Sequence, residues 1–439
     1  MIQRLIGTWR DTSFSAWNAG LIAVFISYAG PMALILQAAH AGDLDPAVTV
    51  SWVWAASVCT GIVTIVMSLT MRLPMIAAWS IPGSVLLISG LQRYDIHELV
   101  GVYIVVGIVS LVLSATGVFT TLVNLIPSGV INGVLAGILL PICFQAVDAS
   151  QDMAVMAVVM LIAFFLARRL APLFAIPVAM GAGIVMLFVS GALTSPPTPV
   201  GGSIVAQPVW IMPSFDLTAM VSIGIPLLLV TMAGQNLPGS EMMRGFGYRF
   251  DTRTALIACN IGGILFAPFG LHSANLATVT GMVCAGSEAH PVRRSRYVAG
   301  ISAGIFYVIA GVFAPAIVMA MSMISGAALA LISGLVLLPA LSTALTTLLR
   351  RTGRPSTRRH AAGLEAGIVA LVVTASDLTV AGITAPCWGI TMGIMVYLIL
   401  TGSAPKRLAQ KSSPAREKSA PAQATYASPT VDSVGRKTS

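Results

Sequence analysis

The chain has 439 residues, of which 56% are hydrophobic and only 9% charged, with a mean hydropathy of +0.90. Soluble domains carry about a quarter of their residues as charges, so this composition excludes one and marks an all-α polytopic membrane protein. The net charge of +9 does not call for nucleic acid, because the basic residues sit in short loops and in the tail, where a cytoplasmic loop bias puts them.

A helix needs roughly 20 apolar residues to cross a hydrocarbon core of about 30 Å. Fourteen segments meet or approach that length. The first seven are 16–39, 52–70, 74–91, 99–122, 128–146, 153–168 and 174–193. The second seven are 217–237, 255–269, 273–285, 297–321, 327–349, 363–380 and 385–400. The first run follows Arg4 and Arg10 and is long enough to span, so it does not read as a cleavable signal. Residues 194–216, rich in proline, glycine and serine, read as an external linker between two seven-segment units, 1–193 and 217–402. Residues 403–439 form a polar Ser/Pro/Ala/Lys tail, expected to be disordered in the cytoplasm.

With the amino terminus inside, alternating crossings leave only Arg93 of the 24 basic residues on the outer face. Asp43, Asp45, Asp95, Glu98, Asp148, Asp152 and Asp216 share that face. The pattern supports fourteen crossings with both termini cytoplasmic. Seven is odd, so a second unit of seven enters from the opposite side, which is an inverted repeat. Faint echoes agree: Ala29-Gly30-Pro31 with Ala233-Gly234-Gln235, and Gly137 to Pro141 with Gly334 to Pro339.

Segment three carries the sharpest local signal, AAWSIPGSVLLI at 77–88. Pro82 lacks an amide hydrogen and pushes Ile81 towards extended backbone. Ser80 can cap a new helix with Pro82 in its first turn. The window therefore fits an extended run over 76–80 and a half-helix opening mid-membrane, and it fits a proline-kinked helix as well. In the first case the free amides of the half-helix's first turn face a polar cavity and attract an anion. Segment ten is its partner, where Gly270-Leu271-His272-Ser273-Ala274-Asn275 is small and polar. Ser273 is expected to cap a half-helix starting at Ala274. Paired interrupted segments in two halves point to a transporter's binding site.

Segment eight adds Gln235 and Asn236, two carboxamides inside an apolar run that need a partner or a ligand. Bonds to neighbouring helices would satisfy them equally. The acids nearest the spans, Glu365 and Asp377, lie close to helix ends, which leaves His272 as the proton-coupling candidate. A histidine bonded to backbone that never titrates is the competing reading. Tyr28, Trp79 and Phe269 are candidate aromatic walls, and Asn132 an interhelical contact. The five cysteines, Cys59, Cys143, Cys259, Cys284 and Cys387, show neither metal-ligand spacing nor a disulfide framework. No metal or cofactor is expected.

The runs TMAGQNLPG (231–239), AWSIPG (78–83), APFGLHSANLATVTG (267–281) and GSEAHP (286–291) resemble the bacterial benzoate:proton symporter family, BenE. The likeness extends in order from about Phe14 to Leu400. It implies kinship with uracil/xanthine permeases and sulfate-type anion transporters. It also implies a core of segments 1–4 and 8–11 moving against a gate of 5–7 and 12–14. Nucleobase carriers of that kin place glutamates where Gln235 and Ala274 stand here, beside Asn275, and losing both carboxylates suits an anionic substrate.

The expected function is a bacterial inner-membrane carrier that imports benzoate or a related aromatic carboxylate with a proton by alternating access. The site expected from these readings comprises Tyr28, Ser80, Ile81, Pro82, Gly83, Gln235, Asn236, Ser273, Ala274 and Asn275. A nucleobase, an inorganic anion or a passive anion channel are the rivals, and a homodimer is one option for assembly. An embedded enzyme is disfavoured, since no HExxH, Gly-x-Ser-x-Gly or acid cluster occurs.

Overall fold

The opening helix, α1 (Phe14–Ala29), starts where the Ser13 hydroxyl accepts the Ala16 amide at 3.2 Å. Gly30-Pro31 interrupts the ladder, because proline brings no amide hydrogen, and α2 (Pro31–Ala41) completes the crossing. The computed structural model describes residues 11–118, 125–191, 203–349 and 358–402, all of one compact unit. The tail 403–439 and the first part of the linker lie outside the described residues.

Asp45 caps α3 (Pro46–Met71), which ends at a left-handed Arg72. An extended stretch with β1 (Ala77–Ala78) leads to α4 (Ile81–Gly90). The chain continues through α5 (Ile96–Thr116), which opens on an Asp95–Glu98 capping box. Next come α6 (Ser128–Ala149), α7 (Ala154–Leu170) and α8 (Ala175–Val189).

The second half begins with α9 (Leu217–Gly245), widened by π-helical turns at Met220–Gly224 and Met232–Asn236. Helix α10 (Thr252–Phe266) precedes β2 (Asn275–Leu276) and the short α11 (Val279–Ala285). Then follow α12 (Tyr297–Val312), α13 (Ala314–Ser322), α14 (Gly326–Leu349) and α15 (Arg358–Ala375). A hairpin of β3 (Thr379–Val380) and β4 (Ile383–Thr384) turns the chain into α16 (Ala385–Thr401). Both turn residues have positive φ, Ala381 at 53° and Gly382 at 77°, the geometry that matches strand twist in a two-residue hairpin.

Among the described residues, nine helices are long and apolar enough to cross a membrane, and Ile81–Gly90 and Ala385–Thr401 are shorter apolar ones. Lipid replaces water as the outer solvent. On α7, Met156, Met160, Phe164 and Ala167 are buried, while Val158, Leu161, Ile162 and Phe165 stay exposed. In lipid the hydrophobic effect does not drive helices together, so close backbone approach carries more of the packing. A Cβ on Gly133 of α6 would fall 2.1 Å from the Gly367 carbonyl oxygen of α15. A Cβ on Gly61 of α3 would fall 2.6 Å from the Gly304 oxygen of α12. Each pair is sealed backbone to backbone.

Candidate functional site

Ser80 does what the sequence asks of it. Its hydroxyl accepts the Gly83 amide at 3.0 Å and caps α4, with Pro82 in the first turn. Upstream, Ala77 pairs with Leu276 and Ala78 with Asn275, antiparallel. The Ala277 amide also donates to the Ile76 carbonyl at 2.9 Å. Segments three and ten are therefore both discontinuous, and their extended stretches meet as a two-residue ladder. That ladder satisfies backbone groups that lipid could not.

The second half-helix differs from expectation. Ser273 caps nothing; its oxygen accepts from Asn275 Nδ2 at 2.9 Å. Residues Ala274 and Asn275 belong to the extended stretch, and α11 begins only at Val279, with no side-chain cap on Thr278. The cause is the pairing itself: chain committed to β2 cannot also be helix.

Asn236 and Asn275 also take a different role. Asn236 Nδ2 donates to Asn275 Oδ1 at 3.1 Å, and Asn236 Oδ1 accepts the Leu276 amide at 3.0 Å. Both residues are buried. They brace the widened turn of α9 against β2, so their polar atoms are engaged with each other. Gln235, one residue earlier, is half-exposed and its carboxamide has no hydrogen-bond partner in the described structure. Its neighbour Gly234 lies beside Pro82; a Cβ there would sit 3.7 Å from Pro82 Cγ and from the Leu135 methyls of α6. Gln235 follows Gly234 in the chain, one residue from the contact with the head of α4.

His272 is 1% exposed. Its Nε2 donates to the Ser80 carbonyl at 3.0 Å, tying segment ten to the α4 cap. With the proton on Nε2, Nδ1 is an acceptor, and it is buried without a partner. The rings of Trp52 and Tyr103 meet the imidazole edge-on at 6.0 and 6.3 Å.

Tyr28, half-exposed, shares a hydrogen bond with Ser57. Trp79 stands edge-on between Tyr28 and Tyr307, 6.2 Å from each, and Tyr307 bonds Ser27. Phe269 does not join them. It packs with Trp54 and Trp210 at 5.3 and 5.4 Å, away from the cap. Asn132 donates to the Ser128 carbonyl of its own helix at 2.8 Å and makes no interhelical bond.

The family model described as "Benzoate membrane transport protein", BenE, matches residues 10–399. The chain belongs to this family. A benzoate membrane transport protein of Acinetobacter baylyi is 30% identical over 391 residues, 89% of this chain and 96% of that one. The inner membrane protein YdcO of Escherichia coli is 33% identical over 385 residues, 87% and 95% of the two chains. Two solved structures share the fold. That of SLC26A9 gives a TM-score of 0.58 at 13% identity, covering 89% of this chain and 65% of that longer one. The transmembrane domain of the cyanobacterial bicarbonate transporter BicA gives 0.55 at 14% identity, covering 87% and 98%. This BenE-family member is thus a multi-pass membrane transport protein.

Sequence reasoning missed Tyr307 and the residues of α6, α8 and α14 near the site. A Cβ on Gly30 would come 2.7 Å from Ile176 of α8 and 2.9 Å from Val336 of α14. A lone tyrosine in a Gly/Ala-rich span carries no signal that separates it from one facing lipid. Residues such as Leu135 and Ile176 look like any other apolar residue until the fold places them.

Proposed function

We propose that this protein imports benzoate or a closely related aromatic carboxylate with a proton, by alternating access across the bacterial inner membrane. The observation that carries the reading is the capped head of α4, with an unpaired carboxamide, Gln235, one residue from its contact with Gly234. The amide at Ile81 and the helix dipole favour one negative charge there, by up to ~2 kcal/mol in a partly buried setting. Gln235 adds a neutral donor, and Tyr28, Leu135 and Ala78 border the same space with rings and methyls. Ser80 is fully buried in its capping role, so it acts on the anion through the helix it caps. Ser273 and Ala274 set the wall of the extended stretch opposite, and Asn236 and Asn275 hold that wall in place.

In this reading the chain makes fourteen crossings as two inverted units, 1–193 and 217–402, with both termini and the tail 403–439 cytoplasmic. A core of α1–α5 and α9–α13 moves against a gate of α6–α8 and α14–α16. Among the described residues, four side-chain links join the two sets, and all lie at one end. They are Gln37 to Gln145, Arg93 to Thr379, Tyr94 to the Gly382 carbonyl, and Ser222 with Thr384. That asymmetry supports a conformation closed towards the outside. His272, with Nδ1 open to a proton and Nε2 on the α4 cap, is the coupling residue of the proposal, and no chemical conversion of the solute is part of it.

Uptake of labelled benzoate into proteoliposomes with an alkaline interior tests this. Undissociated benzoic acid leaks through bilayers, so the reading is the saturable uptake above protein-free liposomes. Saturable, protonophore-sensitive uptake that resists excess uracil and sulfate is the expected result. Competition by uracil would move the substrate to a nucleobase, and competition by sulfate to an inorganic anion. Saturable flux indifferent to the pH gradient would remove the proton.

A further inference from the structure

A second cleft opens on the same seam, farther out. It occupies about 120 Å3 between the carboxyl half of α4, the middle of α6 and the junction of α15 with α16. Its floor is apolar, formed by Val85, Ile138, Pro141 and Ile142. Its rim carries Ser89, Arg93, Gln145 and Asp377. A cavity of about 150 Å3 is enough to hold a benzene ring, so the cleft is on the scale of one ring and too small for a nucleotide or a folded peptide.

Three features give the cleft a ligand chemistry. Arg93 is its only cation, and no carboxylate lies within ion-pair distance of it among the described residues. Its guanidinium is exposed and donates to the Thr379 hydroxyl, a neutral acceptor that a carboxylate would outcompete, since it brings the opposite charge and can take the guanidinium fork through two parallel bonds. Thr374, 4% exposed and lining the cleft, turns its methyl to Gly137 of α6 and its hydroxyl oxygen to Gly389 of α16, so it adds to the apolar side. An apolar floor and wall with one guanidinium that has no carboxylate partner fit a molecule with an apolar body and a single anionic end.

We infer that this cleft is an outer encounter site for the aromatic monocarboxylate, with Arg93 receiving the carboxylate before the solute reaches the head of α4. The inference rests on the transport reading above and adds a residue to it. Arg93 is bonded to the β3–β4 hairpin of the gate while it belongs to the core. A carboxylate that takes the place of Thr379 on Arg93 therefore loosens one of the four links closing the outer end. Arrival of the solute and release of the outer latch become the same exchange of hydrogen-bond partners. Asp377 on the same rim opposes the anion and sets a modest affinity, which suits a site that must also let go.

Initial rates of labelled benzoate uptake in right-side-out vesicles, and in inverted ones, test this with wild type, Arg93→Ala, Arg93→Lys and Asp377→Asn. Arg93→Ala is expected to raise KM about three- to tenfold from the outer face, the range of a partly exposed charge-assisted pair. From the inner face KM is expected to stay within a factor of two, or about that. KM is expected to rise with ionic strength in wild type, to do so less in Arg93→Ala, and to keep the rise in Arg93→Lys, which keeps the charge and loses the planar fork. Asp377→Asn is expected to lower the outer KM and serves if an Arg93 variant fails to insert. An unchanged outer KM in Arg93→Ala, or equal shifts from both faces, would overturn the encounter site while leaving the carrier reading in place. Absence of saturable wild-type uptake would overturn the carrier reading, and this inference with it.

Discussion

At the scale of single residues, the protein separates polar side chains that hold the fold from those left for a ligand. Asn236 and Asn275 look alike in sequence and both turn out to be fully engaged, with each other and with the Leu276 amide. Replacing Asn236 with alanine strands the Asn275 carboxamide and a buried backbone amide, a loss of about 1–3 kcal/mol for a group left unsatisfied. Thermal unfolding of the purified protein in detergent should show the destabilisation, and a Gln235→Ala variant should not, since the Gln235 carboxamide is bonded to nothing in the fold. Equal melting behaviour of the two variants would contradict the division of labour. Sequence alone identified both carboxamides as out of place in a membrane span. It could not say which one was free, because the partner of Asn236 lies 39 residues away across a ladder that only the folded chain creates.

At the scale of elements, two half-spans do the positioning, and they were legible to different degrees. Ser80-Ile81-Pro82-Gly83 writes its cap, its first-turn proline and its break into four consecutive letters, so the start of α4 could be read directly. Removing the cap with Ser80→Ala should cost about 1 kcal/mol of stability and also weaken benzoate uptake, since the helix start it orders is the one that faces the anion in the proposed site. Unchanged uptake kinetics in a folded Ser80→Ala protein would count against an anion at this helix head. Segment ten was misread because Ser273 has the look of a cap. The competing demand was tertiary: the backbone at 275–276 pairs with 77–78, which delays the helix to Val279. The glycine seams make a separate test. At Gly133 the carbonyl of Gly367 stands where a side chain would begin. Gly133→Val should therefore force α6 from α15 at a cost of about 1–3 kcal/mol, read as reduced folded yield and earlier melting.

At the scale of the whole molecule, the proposed transport depends on two bodies sharing one seam. The seam holds the head of α4 and Gln235, and at its outer end the links between Arg93 and Thr379 and between Ser222 and Thr384. Ser222 donates to the Thr384 hydroxyl at 2.7 Å and receives the Thr384 amide at 2.8 Å, so the pair closes on itself twice. In a protein with its native cysteines replaced, Ser222→Cys combined with Thr384→Cys should form a disulfide that fixes the outer end shut. Benzoate uptake should fall to background on oxidation and return with reductant. Full uptake by the oxidised, cross-linked protein would mean that the two bodies do not part there. Composition and loop charge made the membrane class readable from the chain. Which helices belong to which body was not, because helix partnership is decided by facing glycines and by side chains such as Ser222 and Thr384 that look unremarkable one at a time.

The most direct measurement of the central claim is benzoate affinity by titration calorimetry, for wild type and Gln235→Ala side by side in the same detergent. The account requires saturable binding to the wild type and a loss of about tenfold or more on removing the carboxamide, the scale of one hydrogen bond to a charged group. Indistinguishable affinities in two equally stable proteins would place the carboxylate somewhere other than the head of α4.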